Sequence, residues 1–282
     1  MKAGVEPYKI TSQHYDAAYA AKQDLVDLPF YLDLARKSGG PVLEIACGTG
    51  RVLLQVAREG IPITGVDNSP PMLRVLKAHV QTEPRDVQRK ITLHEGDMRS
   101  FRLRKKYPLV IIPFRPMQHM YTLKDQLQAL TTAAFHLHKN GTLAFDVFYP
   151  KFKSMDEGIG QEVLDLEWPR DSDSVVRRYF RKDSLDKIKQ VFSFTFIFRT
   201  YAAGKLVREE SEPFQLSYYT YPHLQALFLL AGLEPVAEYG TFAKEPLDNS
   251  AQQMIFLLKK AKSHRPRRGS LRTPVPSVRR KC

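Results

Sequence analysis

Between residues 40 and 148, short continuous apolar runs alternate with segments whose apolar residues recur every three or four positions. That alternation builds a parallel sheet with helices packed on both faces. Pro41 to Cys47 predicts a buried first strand, and Val52, Leu53, Val56 and Ala57 then share one face of a helix that Gly60 ends. Ile61 to Asp67 predicts the second strand. Ser69 is placed to cap the next helix, with Pro70 and Pro71 in its first turn and Met72, Leu73, Leu76 and Val80 facing inward. Ile91 to Gly96 predicts a third strand closing on Asp97, and Tyr107 to Phe114 a fourth. Leu123, Leu127, Leu130, Ala134 and Leu137 repeat at helical spacing, after which Asn140-Gly141 predicts a turn into a fifth strand, Thr142 to Phe148.

The pattern then changes. From about Gln161 to Tyr219 the chain is rich in Val, Phe, Tyr and Thr, with an Ala203-Gly204 turn, which predicts an inserted antiparallel meander. Tyr221 to Ala231 predicts a helix stopped at Gly232, and Leu233 to Tyr239 and Gln252 to Leu258 supply two last strands. The expected fold class is α/β, a seven-stranded, mostly parallel sheet with helices on both faces plus the antiparallel insertion. Residues 1–260 are expected to form one domain, with about 161–219 as a cap over the substrate, and 261–282 a basic, disordered tail.

Charge alters the picture less than its total suggests. The 282 residues carry a formal charge of +13, but ten basic and no acidic residues fall between Lys259 and Cys282, leaving +3 on residues 1–258. The positive field therefore belongs to a Pro-, Ser- and Arg-rich tail that cannot pack a core. Capture of nucleic acid is expected only through that tail. No run of eighteen apolar residues exists and Met1 to Ile10 lacks a secretion signal, so no membrane partner and a cytoplasmic location are expected. Two cysteines, Cys47 and Cys282, make neither a disulfide framework nor a metal knuckle, and no His and carboxylate cluster has metal-ligand spacing.

The richest chemistry lies in Leu43-Glu44-Ile45-Ala46-Cys47-Gly48-Thr49-Gly50, a strand entering a glycine turn ahead of a helix. Such a turn lets a flat ligand approach the backbone. A pyrophosphate fingerprint would need a third glycine where Leu53 stands, which weakens a nicotinamide or flavin reading, and no Gly-Lys-Ser/Thr is present for a nucleoside triphosphate. Asp67, seventeen residues beyond Gly50, is placed to accept both hydroxyls of a ribose. Asp97 with Met98 offers a carboxylate for an exocyclic amine and an apolar wall for a purine ring.

Taken together, Glu44 to Gly50, Gly65-Val66-Asp67-Asn68-Ser69-Pro70-Pro71-Met72 and Gly96-Asp97-Met98 resemble the class I S-adenosylmethionine-dependent methyltransferases, in order and spacing, across roughly residues 29–149. More distantly, Asp27-Leu28-Pro29-Phe30-Tyr31 and Asp146-Val147-Phe148 resemble the small-molecule branch, with its sugar and glycine or sarcosine N-methyltransferases. The resemblance implies a Rossmann-like fold and S-adenosylmethionine as cofactor. It further implies that Gly48 and Gly50 pass the methionine moiety, that Glu44 orients the loop, that Asp67 holds the ribose and that Asp97 and Met98 meet the adenine. Ala46, Asn68, Met72, Pro113 and Gln118 are implied to border the same ligand. Tyr15, in Tyr15-Asp16-Ala17-Ala18-Tyr19, resembles the tyrosine that covers the cofactor in the sugar branch.

A sulfonium methyl is already electrophilic, so alignment of the attacking lone pair and exclusion of water are the main demands. The fourth strand runs into Pro113-Phe114-Arg115-Pro116-Met117-Gln118-His119, which departs from the Asn/Asp-Pro-Pro-Tyr/Phe of nucleic-acid amino-methyltransferases. His119 is the leading candidate to meet the acceptor, as proton acceptor or orienting group, with Tyr15 beside it. Gln118 is a second candidate for orienting acceptor or cofactor, and Asp146 reads as structural. The expected reaction is methyl transfer to a small molecule, at an amine more readily than a hydroxyl. An RNA or protein methyltransferase, a non-catalytic cofactor-binding module and a nicotinamide oxidoreductase stand as alternatives, and a homodimer is compatible with the reading.

Overall fold

The computed structural model describes residues 8–22 and 26–262. Apart from Ala261 and Lys262, the basic tail lies outside the described residues. Strands β1 (Val42–Ile45), β2 (Ile63–Asp67), β3 (Ile91–Glu95), β4 (Tyr107–Ile112) and β5 (Leu137–Phe148) pair in parallel. Four strands, β6 (Glu162–Pro169), β7 (Ser174–Asp186), β8 (Val191–Ala202) and β9 (Lys205–Ser217), then form a separate antiparallel sheet in sequence order. The chain returns through β10 (Leu233–Tyr239) and β11 (Gln253–Lys260), so that the main sheet reads β10-β11-β5-β4-β1-β2-β3, with β11 antiparallel to both neighbours. The strand order reverses between β4 and β1. In open α/β sheets a ligand binds at the carboxyl ends of the strands on either side of such a reversal.

Helices α1 (Thr11–Ala20) and α2 (Leu28–Ser38) precede the sheet, and α3 (Leu53–Arg58), α4 (Pro70–Thr82), α5 (Arg85–Gln88), α6 (Leu123–His136) and α7 (Tyr221–Leu230) cover it. Period-two alternation in the strands decides which helices go where. Val42, Leu109 and Ile111 pack against Tyr31 and Ala35 of α2, Leu53 and Val56 of α3 and Leu76 of α4. Their neighbours Leu43, Ile45, Val110 and Ile112 point the other way, onto Ala129, Leu130 and Ala133 of α6 and Leu227 and Phe228 of α7. The helix starts follow local chemistry: Ser69 Oγ accepts from Met72 N, and Thr122 Oγ1 accepts from Asp125 N.

Asn140-Gly141 does not make the expected turn. Strand β5 begins at Leu137, and its pairing with β4 jumps from Tyr107–Leu137 to Leu109–Thr142, which leaves residues 138–141 bulged. Gly141 fits there because a Cβ would stand 2.8 Å from the Tyr107 carbonyl oxygen.

Candidate functional site

At the end of β1 the backbone turns left-handed at Ala46 (φ 58°), Gly48 (φ 55°) and Gly50 (φ 90°). The two glycines serve different needs. A Cβ on Gly48 would meet nothing within 4 Å, so its bare side faces open space at the strand tips, whereas one on Gly50 would lie 2.3 Å from Leu76 Cδ1. Gly48 N–H donates to Asp67 Oδ2 at 2.8 Å and Ser69 N–H to Asp67 Oδ1 at 2.8 Å. Asp67 thereby ties β1's loop to the tip of β2. Burial pushes its carboxyl above the usual range, against the lowering by those backbone donors.

Beside the loop, Glu44 is 3% exposed and its Oε2 has no hydrogen-bond partner. Burial pushes this carboxyl up to about 8, even though Arg51 lowers it. It is therefore protonated at neutral pH in the ligand-free protein. The folded state then holds a proton that the unfolded chain releases near 4.5, so stability from this group is present below 4.5 and lost as pH rises toward 8. The slope is about 1.4 kcal/mol per pH unit. Replacing Glu44 with Gln removes that titration, so the melting temperature of the variant relative to wild type is expected to climb between pH 5 and pH 8. Parallel melting curves for the two proteins would contradict it.

Helix α1 closes over the loop. Thr49 Oγ1 donates to Asp16 at 2.8 Å, and His79 Nε2 lies 3.2 Å from the same carboxylate. Tyr15 packs on Tyr19 with ring centroids 4.2 Å apart, and Tyr19 meets Phe114 edge-on at 5.0 Å. What is left is a cavity of about 30 Å³ touched by Tyr15, Glu44, Ala46, Gly48, Arg51 and Pro113. Arg51 is held by a two-pronged pair with Asp27, at 2.9 and 2.5 Å, and lies against Phe114. On the neighbouring strand tip, Asp97 is half-buried and engaged by Arg99, whose guanidinium also reaches Asp125 at 2.9 Å. Arg99 holds the Asp97 carboxyl below its usual range.

On the other side of the cavity, Phe114 and Arg115 both take left-handed φ, 67° and 70°, in the loop after β4. Two consecutive non-glycine residues there mark a strained turn held by its surroundings. Asp146 supplies the hold: its Oδ1 accepts from Phe114 N at 2.8 Å and from Tyr31 Oη at 2.7 Å, and burial pushes its carboxyl up to about 6. The loop continues as a short 3-10 turn, Pro116–His119. There His119 Nε2 lies 2.6 Å from Tyr8 Oη, whose ring rests on Phe214 of β9 at 5.2 Å. Burial lowers His119 to about 4, so its imidazole is neutral at physiological pH.

Residues 42–141 match the family model of a methyltransferase domain. Over 216 residues, 76% of this chain and 83% of the relative, the protein is 26% identical to the dTDP-3-amino-3,4,6-trideoxy-alpha-D-glucopyranose N,N-dimethyltransferase of Streptomyces venezuelae. It is 23% identical to the cypemycin N-terminal methyltransferase of a Streptomyces species, with 79% and 84% of the two chains covered. Among solved structures the CcbJ methyltransferase from Streptomyces caelestis superposes with a TM-score of 0.73 at 21% identity, covering 90% of this chain and 97% of that one, a likeness of fold. The chain carries an S-adenosylmethionine-dependent methyltransferase domain.

The residues of this methyltransferase fit an adenosyl cofactor. Asp67 accepts from the Gly48 and Ser69 backbone N–H groups, with Asn68 N–H also directed at it, and an ionised carboxylate has about four acceptor sites, so acceptor capacity remains for a ribose hydroxyl. The orphaned Glu44 oxygen and the open side of Gly48 lie on the same cavity. Tyr15, Ala46 and Pro113 border it as well, while Met72 and Met98 are buried and Asn68 is exposed beside Asp67. Gln118 departs from its expected orienting role. It is fully buried, its Nε2 donates to the Ser217 carbonyl at 2.7 Å and its Oε1 accepts from Phe148 N at 3.1 Å. Both ends of the amide are spent fastening the loop after β4 to β9 and β5. Tyr8 was missed altogether, because nothing near it in sequence signals a partner 111 residues away.

Proposed function

We propose that this methyltransferase methylates an amine nitrogen of a small molecule, with Tyr8 and His119 orienting the acceptor. The bound cofactor supplies an electrophilic methyl group, and the chain's own residues hold, align and shield. Asp67 would hold the ribose, Asp97 and Met98 the adenine, and Gly48, Gly50, Ala46 and Glu44 the methionine end. Because the cavity under α1 has room for about one water molecule, α1 must lift, breaking the Thr49–Asp16 contact, for the cofactor to enter. Its return places Tyr15 and Tyr19 over the site and excludes water.

The observation that carries the choice of nitrogen is the neutral, buried His119 paired to Tyr8. An imidazole whose pKa is about 4 is too weak a base to deprotonate an alcohol or an ammonium group. It is well suited to accept a hydrogen bond and fix the Tyr8 hydroxyl. An acceptor that needs no base, an amine arriving unprotonated, suits such a site. Of the two relatives named above, one is an N,N-dimethyltransferase of an amino sugar and the other an N-terminal methyltransferase, which supports the same choice. Tyr8 lies close enough to Asp67 for the carboxylate to help burial raise the tyrosine pKa, which supports a place next to the cofactor.

This reading sets the pH dependence. With an amine acceptor, kcat/KM is expected to rise with pH toward the acceptor's own pKa, about 8 for an α-amino group. It should have no inflection near 6.5. Replacing His119 with Asn is expected to lower kcat about tenfold without moving that profile, the pattern of a positioning residue. Rates of S-adenosylhomocysteine release across an amine panel, from pH 5 to 9, measure both. A second inflection near 6.5 that disappears in the variant would make His119 a general base and reopen hydroxyl acceptors.

A further inference from the structure

A second, larger cleft of about 230 Å³ lies on the far side of α1 from the glycine loop. Successive residues turn by about 100° around a helix, so Gln13, His14 and Ala17 occupy the face opposite Tyr15 and Tyr19. The first set borders this cleft and Tyr15 the cavity beside Gly48. The cleft's other wall comes from the antiparallel sheet. Trp168 of β6 is 6% exposed at its base, and the His14 ring stacks on Phe198 of β8 at 4.5 Å with 15° between the planes. The site is flat and aromatic. Thr200 adds a buried hydroxyl.

Its polar groups point to charge. His14 Nε2 is buried without a close hydrogen-bond partner, its nearest polar neighbour being the Glu210 carboxylate at 3.8 Å. Glu210 is engaged by Arg208 at 2.7 Å. Arg170 also lines the cleft and makes no ion pair within 4 Å among the described residues, its charge being felt by the neighbouring Asp171 carboxylate. Within the lining, two guanidiniums, Arg170 and Arg208, face one carboxylate, Glu210, above an aromatic floor whose His14 ring nitrogen has no close hydrogen-bond partner.

We propose that this cleft is a second ligand site, distinct from the methyl-transfer site, that takes a planar anion of the size of an aromatic carboxylic acid. The ring lies against His14 and Trp168, and the acid group meets Arg170 and the His14 ring nitrogen. Guanidinium and carboxylate pair in a matched, charge-assisted geometry, and aromatic walls reward flat ligands. Since the same helix covers the glycine loop with its other face and leaves no room there for the cofactor, an occupant that braces α1 against the sheet opposes the lifting that cofactor entry needs. Binding at the two sites is therefore reciprocal.

Trp168 is the chain's only tryptophan, so its fluorescence reads occupancy directly. The full chain is titrated with benzoate and, as an uncharged counterpart of the same shape, benzamide. Benzoate is expected to produce a saturable change, with benzamide at least about tenfold weaker, and Arg170→Gln is expected to bring benzoate down to the level of benzamide. Saturating benzoate should weaken S-adenosylhomocysteine binding by a finite factor that levels off as benzoate is raised. Absence of a saturable signal with benzoate, equal binding of the two probes, or a weakening of S-adenosylhomocysteine binding that grows without limit as benzoate is raised would each overturn the proposal. The first titration needs no cofactor, so its failure leaves the transfer reaction untouched.

Discussion

Replacing Asp67 with alanine is expected to weaken S-adenosylhomocysteine binding by well over tenfold while leaving the protein folded. Hydrogen bonds to a charged group contribute about 1.5–3 kcal/mol each, and tenfold corresponds to about 1.4 kcal/mol. The variant would lose the acceptors for the ribose and also release Gly48 N–H, which Asp67 fixes at 2.8 Å. Asparagine should rescue little. Both carboxylate oxygens face backbone donors, Gly48 N–H on one side and Ser69 N–H on the other, so an amide NH₂ must oppose one of them. Calorimetric titration of the three proteins, with circular dichroism to verify folding, measures the effect. Equal affinity in wild type and the alanine variant would remove Asp67 from the cofactor site.

The largest loss of stability is expected from Asp27→Ala. Asp27 is 2% exposed and receives both prongs of the Arg51 guanidinium. Removing one partner leaves the other charge desolvated and unpaired, which costs about 3–5 kcal/mol. For a chain of this size that lowers the melting temperature by roughly 10 °C. The companion test is Asp27→Ala with Arg51→Met, since an apolar replacement of a buried pair is often neutral. The double variant should regain most of the loss. A single variant that melts within a degree or two of wild type would mean that the pair contributes little and that Arg51 is held by Phe114 and Tyr19 instead.

Why some of this was legible in sequence and some was not follows from range. Strands β1, β2 and β4 are buried on both faces, so runs such as Leu109 to Ile112 declare themselves without neighbours. The end of β2 was equally plain, because Asp67 followed by Ser69, Pro70 and Pro71 is a local arrangement of strand, cap and first turn. Helix α1, by contrast, has no apolar stripe in Thr-Ser-Gln-His-Tyr-Asp-Ala-Ala-Tyr-Ala. Its ordering comes from partners distant in sequence, among them Glu212, whose carboxylate accepts from Thr11 N at 2.8 Å. Gln118 was misjudged for the same reason. A polar amide in a loop at the ligand edge suggests a ligand contact, and only the fold brings the Ser217 carbonyl to it. The Arg99–Asp97 pair was invisible too: adjacency in sequence does not say that an arginine side chain will fold back onto the carboxylate.

The account rests most heavily on nitrogen as the receiving atom. Incubation of the enzyme with S-adenosylmethionine carrying a ¹³C methyl group, against matched amine and hydroxyl versions of amino sugars and amino-terminal peptides, tests it by carbon NMR. The predicted outcome is label in N-methyl resonances of an amine compound and none in its hydroxyl counterpart. Label in O-methyl resonances, or transfer that proceeds equally to both members of a pair, would contradict it.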